Sequence, residues 1–287
     1  LTFTSGNWNT PQTVTVTGVN DGSVVDGNQT STVTVSIDDN NSNNSFDPLA
    51  DQTVSVTTTD NDIPGFTVAE SSGSTSVNES GTTDTFTVVL NAQPTSDVLL
   101  SLAASDATEA SVTSSLTFTP ANWNTAQTAT VTGLDESTVD GNQTSTITIS
   151  IVDAVSNDSF DPVADQTVSV STVDNDTAGF TVVQTSGSTS VSESGNSDTF
   201  TIVLNAQPIS DVVLTVTSSD TGEATVNSPL TFTAANWNSA QTVTVTGVND
   251  SIIDGTITST ITIAVDDANS DNSFDPVADQ TVSATTT

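Results

Sequence analysis

The chain has no lysine, arginine or histidine to set against its 35 Asp and Glu, which leaves a formal net charge of -35 over 287 residues. No carboxylate here can be neutralised by a protein cation, so salt bridges are excluded. Two carboxylates about 4 Å apart repel by roughly 4 kcal/mol at an effective dielectric of about 20, so clustered acids must take up protons, splay into water or share a metal ion. Cysteine is also absent. That removes disulfides and thiolate metal sites, and without lysine no Lys–Asn isopeptide staple can form. Metal ions are the one cross-link left. The sequence contains no 18-residue apolar run and no charged-then-apolar leader, so neither a membrane anchor nor a signal peptide is expected in this stretch. The charge would repel nucleic acid and anionic membranes, and neither is expected as a partner. Triad and amine chemistry lack their His and Lys, and the acids sit in polar Gly, Asn and Ser surroundings rather than in an apolar cleft, so no enzyme is expected.

What is present is Thr, Ser, Asn, Asp and Val, a composition of strands and turns. It is arranged as a repeat. "LTFTSGNWNTPQTVTVTG" at Leu1 returns as "LTFTPANWNTAQTATVTG" at Leu116 and "LTFTAANWNSAQTVTVTG" at Leu230, and "GFTVAESSGSTSVNESG" at Gly65 returns at Gly179. A period of about 114 residues is the size of a whole small domain, so the chain reads as a string of domains rather than a continuous solenoid. The Asp-Asn-Asp segments of "TTTDNDIPGF" and "STVDNDTAGF" mark the joins. The expected units are 1–62, the C-terminal half of a repeat; 63–176, a complete repeat; and 177–287, a repeat lacking only its final linker acids. Half a sandwich does not close a core, so the native chain is expected to extend upstream of Leu1, with strands supplied by another molecule as the alternative.

In the complete repeat, runs such as "DTFTVVLN", "DVLLSLAA", "QTATVTGL", "STITISIV" and "QTVSVSTV" alternate apolar with Thr or Ser. With "GFTVA" and "STSVNE" they predict seven or eight strands in an immunoglobulin-like antiparallel β-sandwich. Helical spacing is absent.

Acids recur in one loop of each copy. These are Asp21 and Asp26; Asp135, Glu136 and Asp140; and Asp250 and Asp254. Calcium accepts six to eight oxygen ligands in irregular geometry, so a site can be assembled from several loops, whereas magnesium wants a stricter octahedron and soft metals lack His and Cys. Calcium is therefore the expected ion.

A strand carrying Glu before Ser-Gly ("VNESG", "VSESG"), the central "LTFTPANWNTAQTATVTGLDESTVDG" and a last strand running into "DND" resemble Calx-beta domains, which occur in sodium/calcium exchangers and long bacterial surface proteins. The resemblance spans each whole copy. It implies a seven-stranded sandwich with acids gathered at one end around calcium. Carried over by position, it implies ligands at Glu79 and Glu193, at the paired acids Asp135 and Glu136, at Asp140, and at Asp174 and Asp176, with Asp60 and Asp62 in the same place one repeat earlier. A further acid before the central strand corresponds to Asp106 or Glu109, repeated as Asp220 or Glu223. This sequence departs from the pattern at Gln143, where the family loop has a second late acid, and at Asn20 and Asn249, which stand where Asp135 does.

Asp47 and Asp51, Asp161 and Asp165, and Asp275 and Asp279 form a second repeated pair in "SFDP" segments. They read as turn acids beside an inward Phe, with a second calcium site as the alternative. Trp8, Trp123 and Trp237 in "NWN" read as plugs at the sandwich end rather than as sugar platforms. The whole describes a calcium-stiffened spacer of a long repetitive protein at the cell surface or secreted: an adhesin stalk, filament or sheath. Its partners would be calcium ions, neighbouring repeats and identical chains. A carbohydrate- or protein-binding surface module is the alternative.

Overall fold

A computed structural model describes residues 1–253 and 255–287. The chain is all-β, with tandem immunoglobulin-like sandwiches joined end to end. In the middle one a five-stranded sheet runs in the order Ser115–Phe118, Val98–Ala104, Gln143–Ile151, Gln166–Val173, Thr75–Asn78. It faces a four-stranded sheet of Phe66–Glu70, Thr83–Leu90, Gln127–Gly133 and Ala110–Val112. The last sandwich repeats this order from Phe180 to Thr286. Within each sandwich pairing is antiparallel except where Thr75–Asn78 runs parallel to Val170–Val173, and Thr189–Val191 to Ala284–Thr286.

Alternation fixes the faces. In Gln143–Ile151 the side chains of Ser145, Ile147, Ile149 and Ile151 point into the core. Phe86, Phe118 and Phe160 are wholly buried in the middle sandwich, as are Phe200, Phe232 and Phe274 in the last. Each contributes on the order of 1.5–3 kcal/mol by leaving water. Trp123 and Trp237 lie half-buried against these cores. The inward Phe of the "SFDP" segment is Phe160 or Phe274, but Asp161 makes no turn hydrogen bond with its Oδ1. That work falls to Asn157 and Asp271, which accept from the Ser159 and Ser273 amides.

Among the described residues each sandwich has nine principal strands, more than the seven or eight read from the sequence. The run "ASVTSSLTFT" is two strands, not one. The Thr113 amide donates to Thr130 in the four-stranded sheet, while Leu102 in the five-stranded sheet donates to Ser114. The chain thus crosses between sheets at 113–114, which a continuous Thr/Val pattern does not reveal.

Residues 1–62 have the hairpin Gln29–Val35 and Gln52–Thr58 but no opposing sheet. Phe3, at the position of Phe118, is 55% exposed, and Trp8 is 71% exposed. The strands that would cover them precede "LTFT" in a repeat. The short strand Val24–Val25 instead reaches forward and pairs in parallel with Gln93–Pro94 of the middle sandwich.

Candidate metal centre

Three segments meet at the end of the middle sandwich where the last strand leaves. The first is the strand Thr75–Asn78, whose continuation holds Glu79 through a Glu79 N–H bond to the Val173 carbonyl of 3.2 Å. The second is the acidic loop 134–142. The third is the segment 174–176. Gly133 permits the first two to cross, because a Cβ there would lie 2.0 Å from the Asn78 carbonyl oxygen. At Gly141, φ is +74°, a left-handed turn that glycine takes without strain. That turn presents the Gly141 amide to Asp174 Oδ2 at 2.8 Å.

Backbone amides hold Glu79, Asp174 and Glu136. Asn175 N–H donates to Glu79 Oε2 at 2.9 Å, Asp176 N–H to Asp174 Oδ1 at 2.6 Å, and Thr138 N–H to Glu136 Oε2 at 2.9 Å. The Asp174 amide in turn donates to Asn142 Oδ1 at 3.2 Å. Glu79 Oε1, Glu136 Oε1, Asp140 Oδ1 and Asp176 Oδ2 are buried and accept no hydrogen bond, and the same holds for Glu109 Oε2 from a fourth segment. Carboxylate oxygens of Glu79, Glu136 and Asp140 lie within 4.8 Å of one another, and so do those of Glu79, Asp174 and Asp176. These are two acidic groups that could hold a metal ion, with Glu79 common to both.

Glu79 is fully buried, and burial with the neighbouring Asp174, Glu136 and Asp176 raises its pKa against the Asn175 amide bond that lowers it. Glu109 is 5% exposed. Burial first, then Asp140, Glu79, Asp106 and Glu136, push it up to about 7. Burial and neighbouring acids likewise raise Asp140 and Asp176. A buried carboxylate among others, with its free oxygen aimed at them and no base in the chain, is the arrangement a divalent cation completes. The donor set is oxygen only, which suits calcium and fits the residues present.

The sequence left Asp106 and Glu109 as alternatives for one place. Glu109 is the buried one, while Asp106 is exposed and accepts from the Thr108 amide and hydroxyl with Oδ1. Asp135 is exposed, and its Oδ1 accepts from the Asn175 side chain at 3.4 Å. Gln143, where the family has an acid, donates to the Asp140 and Gly141 carbonyls and tightens the turn.

In the first repeat Asp60 Oδ2 takes the Asp26 and Gly27 amides at 3.1 and 2.7 Å, and Oδ1 takes the Asp62 amide at 2.8 Å. Those amides lower the Asp60 pKa, while burial and then Asp60, Asp21 and Asp26 raise that of Asp62. Asp21 and Asp26 are exposed. In the last repeat Glu223 is buried like Glu109, Glu193 is half-buried, Asp220 accepts from the Gly222 amide, and Asp250 accepts from the Ile252 amide. Asp254 lies outside the described residues.

Sequence reasoning missed one contact. The tip of the acidic loop touches the next sandwich. Gln93 N–H donates to Ser23 O at 2.6 Å, and Val25, 4% exposed, belongs to the middle core. One repeat on, Gln207 N–H donates to Ser137 O at 2.7 Å, Val139 N–H to Gln207 O at 2.9 Å, and Val139 packs against the last core. The signal was the β-branched residue before Asp-Gly in every copy: Val25, Val139, Ile253.

No protein-family model matches the chain, and no curated protein matches it. Among solved structures, CBD12 from CALX1.2 is 13% identical over 69% of this chain and 79% of that one, with a TM-score of 0.29. The apo-form Calx CBD1 domain is 15% identical over 39% and 98%, at 0.29. Domains 4 and 5 of the S-layer protein SbsC are 16% identical over 77% and 96%, at 0.31. The fold described above rests on the chain's own strand pairing. Among the described residues no helix is long and apolar enough to cross a membrane.

Proposed function

We propose that this chain is a calcium-stiffened structural segment of a long repetitive extracellular protein, a spacer in a stalk, filament or sheath. One observation carries the reading: Glu79, fully buried, directs an unbonded oxygen into acids drawn from two other segments, in a chain with no cation of its own. Glu79, Glu109, Glu136, Asp140, Asp174 and Asp176 would hold the ions, with Asp135 at the rim. Asp60 and Asp62 with Asp26 and Asp21, and Glu193 and Glu223 with Asp250 and Asp254, would serve the neighbouring copies, and Asp106 and Asp220 would add only charge.

Position gives such a site its mechanical consequence. Asp174 and Asp176 are in the segment that leads into Phe180, the first strand residue of the next sandwich. An ion bound to them ties that segment to the end of the preceding sandwich, and without it like charges loosen the joint. Neighbouring repeats and identical chains are the partners such a spacer needs, at the cell surface or outside it.

Small-angle scattering tests this reading. With chelator in place of calcium, the particle is expected to shorten and its profile to show greater flexibility. The Glu79→Gln chain should give the chelated profile at the middle joint even in calcium. Identical profiles in both conditions would sink the proposal.

A further inference from the structure

We propose that the Ile252–Ile253 tip of the last repeat is a docking surface for another repeat of the same kind, received on that repeat's Ala-Gln-Pro edge. The chain contains this contact twice. Ser23-Val24-Val25 lies on Ala92-Gln93-Pro94, and Ser137-Thr138-Val139 on Ala206-Gln207-Pro208. Ser251-Ile252-Ile253 occupies the same place in the third copy.

The three tips differ in one respect. Val25 is 4% exposed and Val139 is packed against the following core, whereas Ile253 is 104% exposed and Ile252 60%. Among the described residues several large hydrophobic side chains are exposed, and Ile253 is exposed most of all. Packing Ile253 against a core as Val25 and Val139 are packed would take its apolar side chain out of water. The edges at Gln93 and Gln207 are already covered by the chain's own loops, so the occupant is a further repeat.

The receiving edge explains the form of the contact. Ala92 and Ala206 are buried at this edge, and the Gln amide that follows donates to the Ser carbonyl of the incoming tip. The proline that follows has no N–H, so pairing stops after a single step. The contact itself is made by backbone bonds and one aliphatic side chain, in a loop that is otherwise acidic. The tip of the second contact lies between Glu136 and Asp140, acids of the proposed calcium site, so the chelator arm of the test is what separates this contact from the calcium reading.

The test reads amide hydrogen exchange. In the 287-residue chain the Val139 amide should exchange slowly and the Ile253 amide quickly. When a second copy of residues 174–287 is joined after Thr287, reproducing the Val173–Asp174 step, Ile253 exchange should slow at least about tenfold, in calcium and in chelator alike. Ile253→Val should keep that protection and Ile253→Asp should lose it. In the unextended chain, Val139→Asp should release protection at Gln207 while core amides such as Ile202 stay protected. Ile253 exchanging equally fast in both chains, or Gln207 remaining protected in Val139→Asp, would overturn the proposal.

Discussion

Stripped of divalent ions, the middle sandwich is expected to lose stability as pH rises from about 4.5 to 7, and calcium should reverse that trend. Glu79, Glu109, Asp140 and Asp176 all have raised pKa values in the folded chain. Between the unfolded and folded values the native state holds more protons, so unfolding becomes easier with each step up in pH. The stabilisation is fully present below the unfolded values and gone above the folded ones. Glu109, pushed up to about 7 from 4.5, accounts for on the order of 3 kcal/mol of the loss. The lowered acids Asp84 and Asp106 act below their ordinary range, adding stability as pH rises there.

If calcium occupies the site as proposed, it would bind the deprotonated acids, so its effect should grow over the same interval in which the ion-free chain weakens. At pH 7.5, calcium at about a hundredfold excess over its dissociation constant adds roughly 2.7 kcal/mol per site, and at pH 5 much less. Thermal unfolding at pH 5 and 7.5, each with calcium and with chelator, measures all four terms. Equal midpoints with and without calcium at pH 7.5 would remove the metal from the account. Glu79→Gln should abolish most of the calcium effect while raising the stability of the ion-free chain at pH 7.5, because it removes the buried charge. A merely structural Glu79 would show the opposite sign.

Much of this architecture was legible because strand alternation has a short period and survives in single sequences. Gln127–Gly133 and Gln166–Val173 appear where the Thr/Val pattern puts them. The acids were legible for a different reason: with no base anywhere, their recurrence at fixed places needed a cause. What the sequence could not show is where side chains point after a turn. Asp106 and Glu109 are three residues apart, and only the turn between them decides that Glu109 is buried while Asp106 faces solvent. The split at Thr113–Ser114 was invisible because both halves of the run satisfy the same alternation. The docking tip was hidden because one valine before Asp-Gly looks like turn filling until the next sandwich is seen against it.

The crossing at Gly133 should be the most sensitive backbone position in the chain. A Cβ there would sit 2.0 Å from the Asn78 carbonyl oxygen and 2.7 Å from its carbon, and the same holds at Gly247, 2.2 Å from the Ser192 carbonyl oxygen. Such contacts are impossible, so in Gly133→Ala the strand Thr75–Asn78 must move away. That strand pairs with Val170–Val173 and is followed directly by Glu79. The substitution should therefore cost more than about 3 kcal/mol, the range of severe core damage, and calcium binding at the middle repeat should weaken with it. Gly141→Ala is the control. Its φ of +74° makes alanine strained, but no atom lies within 4 Å of the added carbon. A left-handed alanine costs on the order of 1 kcal/mol, so Gly141→Ala should fold and still bind. Denaturant unfolding and calcium titration of both variants separate the two effects. If Gly133→Ala proved no worse than Gly141→Ala, the close crossing that delivers Glu79 to the acids would not be a constraint on this fold.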